Sequence, residues 1–481
     1  MDLLNLVGGR WIEGSGDAFT DTNPARPAET VAQGRYASLP EVRQAIAAAD
    51  AAAPGWAATP HHARAAVLLA TADIIDRNAD AWGRELTREE GKTLPEAVAE
   101  VRGAARILRY YANEADRESG EIYASPRPGE NLLVVRRPVG VAGVITPFNF
   151  PIAIPAWKIG PALTYGNAVV WKPSSLVPLL AQRLAEAFVE AGLPDGVLNL
   201  VYGEGDAGTT IVDDSDVDVV SFTGSTTVGR AVIARCGELG KPVQTEMGGK
   251  NASIVLADAD LDHAAEQVVA GAFRSTGQKC TATSRLIVQA EVADELVHRV
   301  AERASAFVVG DPLADGVQMG PLVSAAARER VSAGVRRALD QGAQPVAGGF
   351  AYTDGGLAEG WFTPPTLLSL PDTTVDFWRH ELFGPVVGVV RAENAVEALK
   401  LANASDHGLS AAIFTRDLGV ALHAVEHLEV GVLHINSESA GTFPWVPFGG
   451  RGQSGYGPKE QGRAAREFFT HTVTVYLGAP A

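Results

Sequence analysis

The chain has 481 residues, 46% hydrophobic and 20% charged, a globular composition that excludes a largely disordered chain or a coiled coil. At roughly 150 residues per domain, that length gives a prior of about three domains. Lys and Arg total 40 against 57 Asp and Glu, so the formal charge is −17, the wrong sign for a general phosphate-backbone binder. No run approaches about 18 uninterrupted apolar residues, and residues 1–10 lack a signal peptide's basic start and apolar stretch. A cytoplasmic chain without membrane or nucleic-acid partners is therefore expected. Its two cysteines, Cys236 and Cys280, are too few for a disulfide framework or a cysteine-rich zinc site.

In chain order, a short strand-like start leads to a helix from about Pro40, with proline in its first turn and an Ala-rich face to Ala53. Helical periodicity continues over 61–78 and 95–117, with Glu90-Gly-Lys92 between them. Between Gly120 and Pro138 the pattern alternates as in a hairpin. From Val139 the rhythm is β–α: strands over 139–145, 168–171, 197–201 and 217–222, and helices over 155–165, 176–191 and 225–236. A second such run begins near residue 247, with strands over 252–256 and 285–289 and helices over 261–273 and 292–307. Alternation of this kind predicts parallel sheets covered by helices, with ligands near the strand C-termini. Residues 448–457 read as a Gly-rich loop and 472–477 as an added strand.

Four motifs carry chemistry. Gly203-Glu-Gly-Asp-Ala-Gly208 follows a strand and fits the dinucleotide fingerprint. Glu204 and Asp206 would place like charge against a pyrophosphate, so a plain turn opening a helix is the better reading. Phe222-Thr-Gly224-Ser225-Thr-Thr-Val-Gly229 also joins strand to helix and holds no acid. It suits an anion at a helix N-terminus as well as it suits a Ser/Thr cap. His423-Ala-Val-Glu426-His427 matches an inverted zinc-peptidase pattern, but two histidines still lack a third ligand, and a solvated helix is the simpler account. No metal is expected. Cys280 lies in a polar stretch beside Lys279, a cation that would favour thiolate, whereas Cys236 reads as a packed helical cysteine.

Seven strings, in order, resemble the NAD(P)-dependent aldehyde dehydrogenase superfamily over essentially the whole chain. They are Thr146-Pro-Phe-Asn149-Phe-Pro151, Trp171-Lys172-Pro-Ser174-Ser175, Phe222-Thr-Gly-Ser-Thr226 and Glu246-Met247-Gly-Gly-Lys250. Gly277-Gln-Lys-Cys280, Glu381-Leu-Phe383-Gly-Pro385 and Pro447-Phe448-Gly-Gly450 complete the set. The resemblance implies an α/β fold with a Rossmann-type cofactor domain (1–117 and 138–246) and an α/β catalytic domain (247–455). A small β oligomerisation arm (118–137 and 468–481) would build a homodimer or homotetramer.

It implies Cys280 as nucleophile, an oxyanion site from the Asn149 amide and the Cys280 N–H, and Glu246 as the base that activates water. Lys158 and Glu460 match a proton relay, although the spacing near Glu460 is altered. Thr146, Phe148, Lys172, Ser174, Ser175, Gly208, Gly224, Ser225, Gly229, Met247, Glu381 and Phe383 would form the NAD or NADP site. Phosphate then belongs to the Gly224–Gly229 helix start, and the Gly203–Gly208 loop is peripheral. Where NAD-preferring relatives commonly carry Glu, three residues after the matching lysine, this chain has Ser175, so NADP use is expected.

For the aldehyde, Phe150, Trp157, Phe443 and Phe448 are candidate contacts, with Trp445 beside them. Arg102 and Arg106, on a helix that lines the family's tunnel, are candidates for a distal carboxylate. Trp157 stands where succinate-semialdehyde dehydrogenases typically carry Arg. Residues 275–284 and 456–463 look most like α-ketoglutaric semialdehyde (2,5-dioxopentanoate) dehydrogenases. The expected reaction is oxidation of a semialdehyde acid through a Cys280 thioester; the alternatives are broad aliphatic or aromatic aldehyde oxidation and, remotely, the zinc peptidase. Coenzyme-A-acylating relatives lack the base that Glu246 supplies.

Overall fold

The computed structural model describes residues 1–117 and 120–478, so residues 118, 119 and 479–481 of the expected arm lie outside the described residues. The first large sheet runs Gly455–Tyr456, Val243–Glu246, Val219–Thr223, Val141–Ile145, Ala168–Lys172, Leu198–Leu200, Asn5–Val7 and Arg10–Ile12. Its five central strands are parallel, and antiparallel strands close both edges. Side chains along Ala168–Lys172 alternate between two cores: Val169 and Trp171 join one, Ala168 and Val170 the other. Both faces are therefore dry, as the near-continuous apolar strands predict.

Strand order in this sheet fixes where a ligand sits. Val141–Ile145 pairs with the next strand in sequence, Ala168–Lys172, on one side and with Val219–Thr223 on the other. The winding reverses there, opening a crevice at the strand C-termini between Thr146 and Gly224.

The second sheet runs Gln344–Ala347, Thr366–Ser369, Val386–Ala392, Thr283–Gln289, Asn251–Val255, Ser410–Phe414 and Val432–Ile435. All its pairings are parallel except the first. A third sheet joins Thr470–Leu477 antiparallel to Asn131–Pro138, which pairs in turn with Gly120–Ala124. Among the described residues no helix is long and apolar enough to cross a membrane.

Some elements depart from expectation. The first parallel strand starts at Val141 rather than Val139, because Gly140 turns at φ +129° and the Asp218 carboxylate takes the Val141 N–H at 2.7 Å. The 95–117 helix is Leu94–Ala112 followed by a 3₁₀ turn, and its start carries a Thr93/Glu96 capping box with proline in the first turn. Ala79–Glu90 is a helix that the apolar period does not announce, since its buried face includes Thr87, Glu89 and Glu90.

Candidate active site

Cys280 follows a loop that bridges helix Leu261–Phe273 and strand Thr283–Gln289. Ser275 and Thr276 hold left-handed backbone (φ 53° and 54°), a conformation that persists only when surroundings enforce it. Glu96 accepts the Ser275 N–H at 2.8 Å, and the Thr276 hydroxyl donates to the Gly320 carbonyl at 3.1 Å. Gly277 has φ +65°, and a Cβ there would lie 2.5 Å from the Gly384 backbone, so only glycine fits against the Glu381-to-Pro385 string. The Asn251 amide donates to the Cys280 carbonyl at 2.8 Å and to Ala282 at 2.9 Å, while its oxygen accepts the Ser410 N–H. The nucleophile loop is thus pinned from two directions.

The thiol itself is neutral at rest. Burial, reinforced by the Glu246, Glu381 and Glu460 carboxylates, pushes Cys280 up to about 12. Lys279, although its charge and that of Cys280 attract, does not overcome this. Its ammonium donates to the Ala270 carbonyl at 3.3 Å and lies 3.9 Å from Glu438. Cys236 is fully buried in the core, as its helical setting predicts.

Glu246 ends strand Val243–Glu246 and is buried. Its carboxylate accepts the Gly450 N–H at 3.1 Å, and a Cβ on Gly449 would lie 2.2 Å from it. Burial, and after it the nearby Glu460, holds its pKa well above the ordinary carboxylate range, which suits a group that must take a proton. Asn149 is buried next to Phe150 in the turn before helix Ala153–Thr164. Lys158 and Glu460, 302 positions apart, meet as a sealed ion pair. Lys158 also donates to Ser221 at 2.9 Å, and the Trp157 indole donates to Glu460 at 2.7 Å.

The residues at the switch point form a cleft that fits a dinucleotide. Ser225 caps helix Thr226–Leu239 by accepting the Val228 N–H, and its own hydroxyl proton remains available to an anion at that N-terminus. A Cβ on Gly229 would strike Met247 Sδ at 2.4 Å, and one on Gly224 the Phe222 ring at 2.6 Å, so the chain is drawn in tightly there. Thr146 accepts the Trp171 indole N–H at 2.9 Å. On the far wall Glu381 accepts the Gly249 N–H at 3.0 Å, and burial pushes its carboxyl up to about 7. Phe383 (φ +55°) meets Phe148 edge-on at 5.7 Å.

At the other end, burial pulls Lys172 down to about 8, opposed by Glu204 and Asp206. A Cβ on Gly208 would lie 3.7 Å from the Lys172 stem, so the acidic loop opens helix Gly205–Asp213 against the cleft. Ser174 caps the following turn by accepting the Leu176 N–H. Tyr36, which the sequence did not single out, lies near Ser175 and Glu204, and burial, followed by the Glu204 charge, pushes its phenol up.

A cavity of about 340 Å³ is lined by Cys280, Phe150, Trp157, Phe448, Gln461, Arg106 and Arg274. Trp157 and Phe448 pack at 5.9 Å. Arg106 is exposed at this cavity, and among the described residues no ion pair takes it up. Arg102 does not line it: it is exposed and pairs with Asp80 at 3.1 Å. Phe443 does not line it either, being 52% exposed and stacked on Trp445 at 5.0 Å. Sequence reading missed Arg274, which pairs loosely with Glu438 (3.5 Å), and Gln461, whose buried amide nitrogen has no partner among the described residues. Gln461 stands in the 456–463 stretch and Arg274 just before the 275–284 one, but neither stretch gives them a role; only position near Cys280 and Glu460 could have flagged them. His423 and His427 stack at 3.9 Å on an exposed helix, and no group of three metal-ligating side chains occurs among the described residues.

The aldehyde dehydrogenase family model matches residues 11–475. An alpha-ketoglutaric semialdehyde dehydrogenase of Bacillus subtilis (strain 168) is 39% identical over 98% of both chains. An alpha-ketoglutarate semialdehyde dehydrogenase of Haloferax volcanii is 40% identical, again over 98% of both. Among solved structures, betaine aldehyde dehydrogenase from Staphylococcus aureus in complex with NAD+ superposes with a TM-score of 0.96 at 32% identity, covering 99% of this chain and 95% of that one.

Proposed function

The chain belongs to the aldehyde dehydrogenase family, and we propose that within it this protein oxidises a semialdehyde acid, such as α-ketoglutaric semialdehyde, to the dicarboxylate. The observation that carries this reading is one cavity bearing both the Cys280 thiol and two guanidinium groups, Arg106 and Arg274. A thiol attacks the aldehyde carbon, while an arginine beside it suits a carboxylate at the substrate's other end. The names of the two similar relatives point the same way. The aromatic wall of Phe150, Trp157 and Phe448 favours a second reading, broad aliphatic or aromatic aldehyde oxidation.

In the mechanism, Cys280 Sγ gives its proton to water in the cavity as it bonds to the carbonyl carbon, giving a thiohemiacetal. The Asn149 amide and the Cys280 N–H stabilise the oxyanion. Held in the cleft, a nicotinamide would supply the acceptor for the hydride of this carbon. The acyl group then remains as a thioester on Cys280. Glu246 takes a proton from water, the hydroxide adds to the thioester, and the C–S bond breaks to free the carboxylate and the thiol. The Lys158–Glu460 pair, beside Glu246, passes the proton onward.

Thr146, Phe148, Lys172, Ser174, Ser175, Gly208, Gly224, Ser225, Gly229, Met247, Glu381 and Phe383 would hold the cofactor. With serine at 175 and Lys172 close by, NADP is used alongside NAD. Residues 1–117 with 138–246 act as the cofactor domain and 247–455 as the catalytic domain, in a cytoplasmic enzyme. Residues 118–137 with 468–481 are the assembly arm of a dimer or tetramer. The exposed Ile122 (80%), Tyr476 (66%) and Leu477 (55%) on that sheet support self-association.

The test is a panel of aldehydes assayed with NAD and with NADP. A kcat/KM for 2,5-dioxopentanoate well above that for pentanal or benzaldehyde is expected. Equal values would leave the broad-specificity reading in its place.

A further inference from the structure

The turn at 149–153 carries the proposed oxyanion donor, and two buried charges grip it. Lys92 donates to the Asn149 carbonyl at 2.8 Å and to Glu100 at 2.5 Å. The other Glu100 oxygen accepts the N–H groups of Ile152 (3.2 Å) and Ala153 (3.3 Å). Lys92 also stands 4.3 Å over the Phe150 ring, so four of the five residues of the turn touch this pair. Both side chains are at most 2% exposed.

The pair is itself held rigidly. Lys92 lies between the left-handed cap Gly91 (φ +97°), which ends helix Ala79–Glu90, and the capping box that starts helix Leu94–Ala112. The Lys92 N–H is tied to the Glu90 carboxylate at 3.1 Å. Burial alone would depress the ammonium, but Glu100 and Glu90 outweigh it and hold Lys92 charged. The same helix grips the nucleophile loop through Glu96 and Ser275. Its first two turns therefore connect the two halves of the reacting centre.

Resting on the reading of Asn149 as oxyanion donor, we infer that Lys92 and Glu100 are positioning residues: their ion pair clamps the 149–153 turn and aims the Asn149 amide at the carbonyl that Cys280 attacks. A buried pair of like-sized apolar groups would serve stability as well. What only the pair supplies is a donor on one end of the turn and an acceptor on the other.

The test is a double-mutant cycle between Asn149→Ala and the charge-neutral replacement Lys92→Met/Glu100→Gln. It is read by hydrolysis of p-nitrophenyl acetate without nicotinamide, which needs the thiol, the oxyanion site and the water-activating Glu246 but no hydride acceptor, and by semialdehyde turnover with NAD(P)+. Misplacing a donor by an ångström is expected to lower kcat by about 10–100-fold in both assays, with KM changed less than about twofold. In the Asn149→Ala background the same replacement is expected to change neither rate by more than about twofold. Additive losses, a rise in KM alone, or no loss would overturn the inference. Asn149→Ala with full activity would instead overturn the oxyanion reading beneath it. If the neutral pair fails to fold, Glu100→Gln alone must show the same non-additivity, because it keeps an acceptor oxygen but drops the charge that holds Lys92.

Discussion

Lys158 and Glu460 share one sealed ion pair, with both side chains 1% exposed and the Trp157 indole on the second carboxylate oxygen. Removing one partner of such a pair strands a charge. Lys158→Met is expected to cost about 3–5 kcal/mol. Lys158→Met/Glu460→Gln, which leaves no uncompensated charge, should denature at a temperature between the single variant and the wild type. A double variant less stable than the single one would show that the pair's worth lies elsewhere than in charge compensation. Thermal unfolding of the three proteins at one concentration decides it.

Glu246 helps hold the Cys280 thiol neutral, after burial itself, and both raise its pKa to about 12. Alkylation by iodoacetamide reports the thiolate, so its rate should keep rising with no plateau between about pH 7 and pH 10. Glu246→Gln removes the repelling charge and should speed alkylation wherever Glu246 is ionised, most clearly at the high-pH end of that window. The same substitution should slow aldehyde turnover by about 100-fold or more, as loss of a general base does. Opposite signs in the two assays are the signature. A slower alkylation would mean that Glu246 activates the thiol instead.

Burial leaves Glu381 titrating at about 7, close to working pH. Under the proposed function Glu381 would accept the cofactor's ribose hydroxyls, which calls for the ionised form. The ionised fraction climbs from about a tenth at pH 6 to about nine tenths at pH 8, so NAD(P)+ affinity should rise about ninefold over that range. Cofactor titration by fluorescence measures it. Glu381→Gln should flatten the profile and bind no tighter at the higher pH.

The motifs made the reacting groups legible, because each sits in a short string at a strand or helix end. The Gly224–Gly229 stretch reads as a cap and an anion site, and Ser225 does cap its helix. What the sequence hides is the support behind those groups. Lys92 is 57 positions from the Asn149 carbonyl, and Glu96 is 179 from Ser275, so no local pattern joins them. Helix Ala79–Glu90 escapes notice for a related reason: the distant Leu179 and Leu180 N–H groups let it bury Glu89, which periodicity counts as a surface residue. Lys279 misleads in the opposite sense, being next to Cys280 in sequence while its ammonium pairs elsewhere. Arg102 and Arg106 lie one turn apart on the same helix, yet only Arg106 lines the cavity.

Ser175 and Glu204 together should set the cofactor choice. Ser175 removes the acid that would repel a 2′-phosphate, but the Glu204 charge is felt at this corner by Tyr36 and, with Asp206, by Lys172. A phosphate at this corner gains the Lys172 charge and meets the Glu204 charge. Glu204→Gln should therefore raise kcat/KM for NADP by several-fold while changing NAD far less, since NAD brings no 2′-phosphate to meet the Glu204 charge. Ser175→Glu should act the other way, lowering kcat/KM for NADP by about tenfold or more through like-charge repulsion at close range. Tyr36→Phe, which keeps the ring and breaks no hydrogen bond to either side chain, should leave discrimination nearly unchanged. Steady-state kinetics with each cofactor, at fixed ionic strength because exposed charges are screened, measures all three. An NADP preference untouched by Glu204→Gln would place the choice on Lys172 and Ser175 alone.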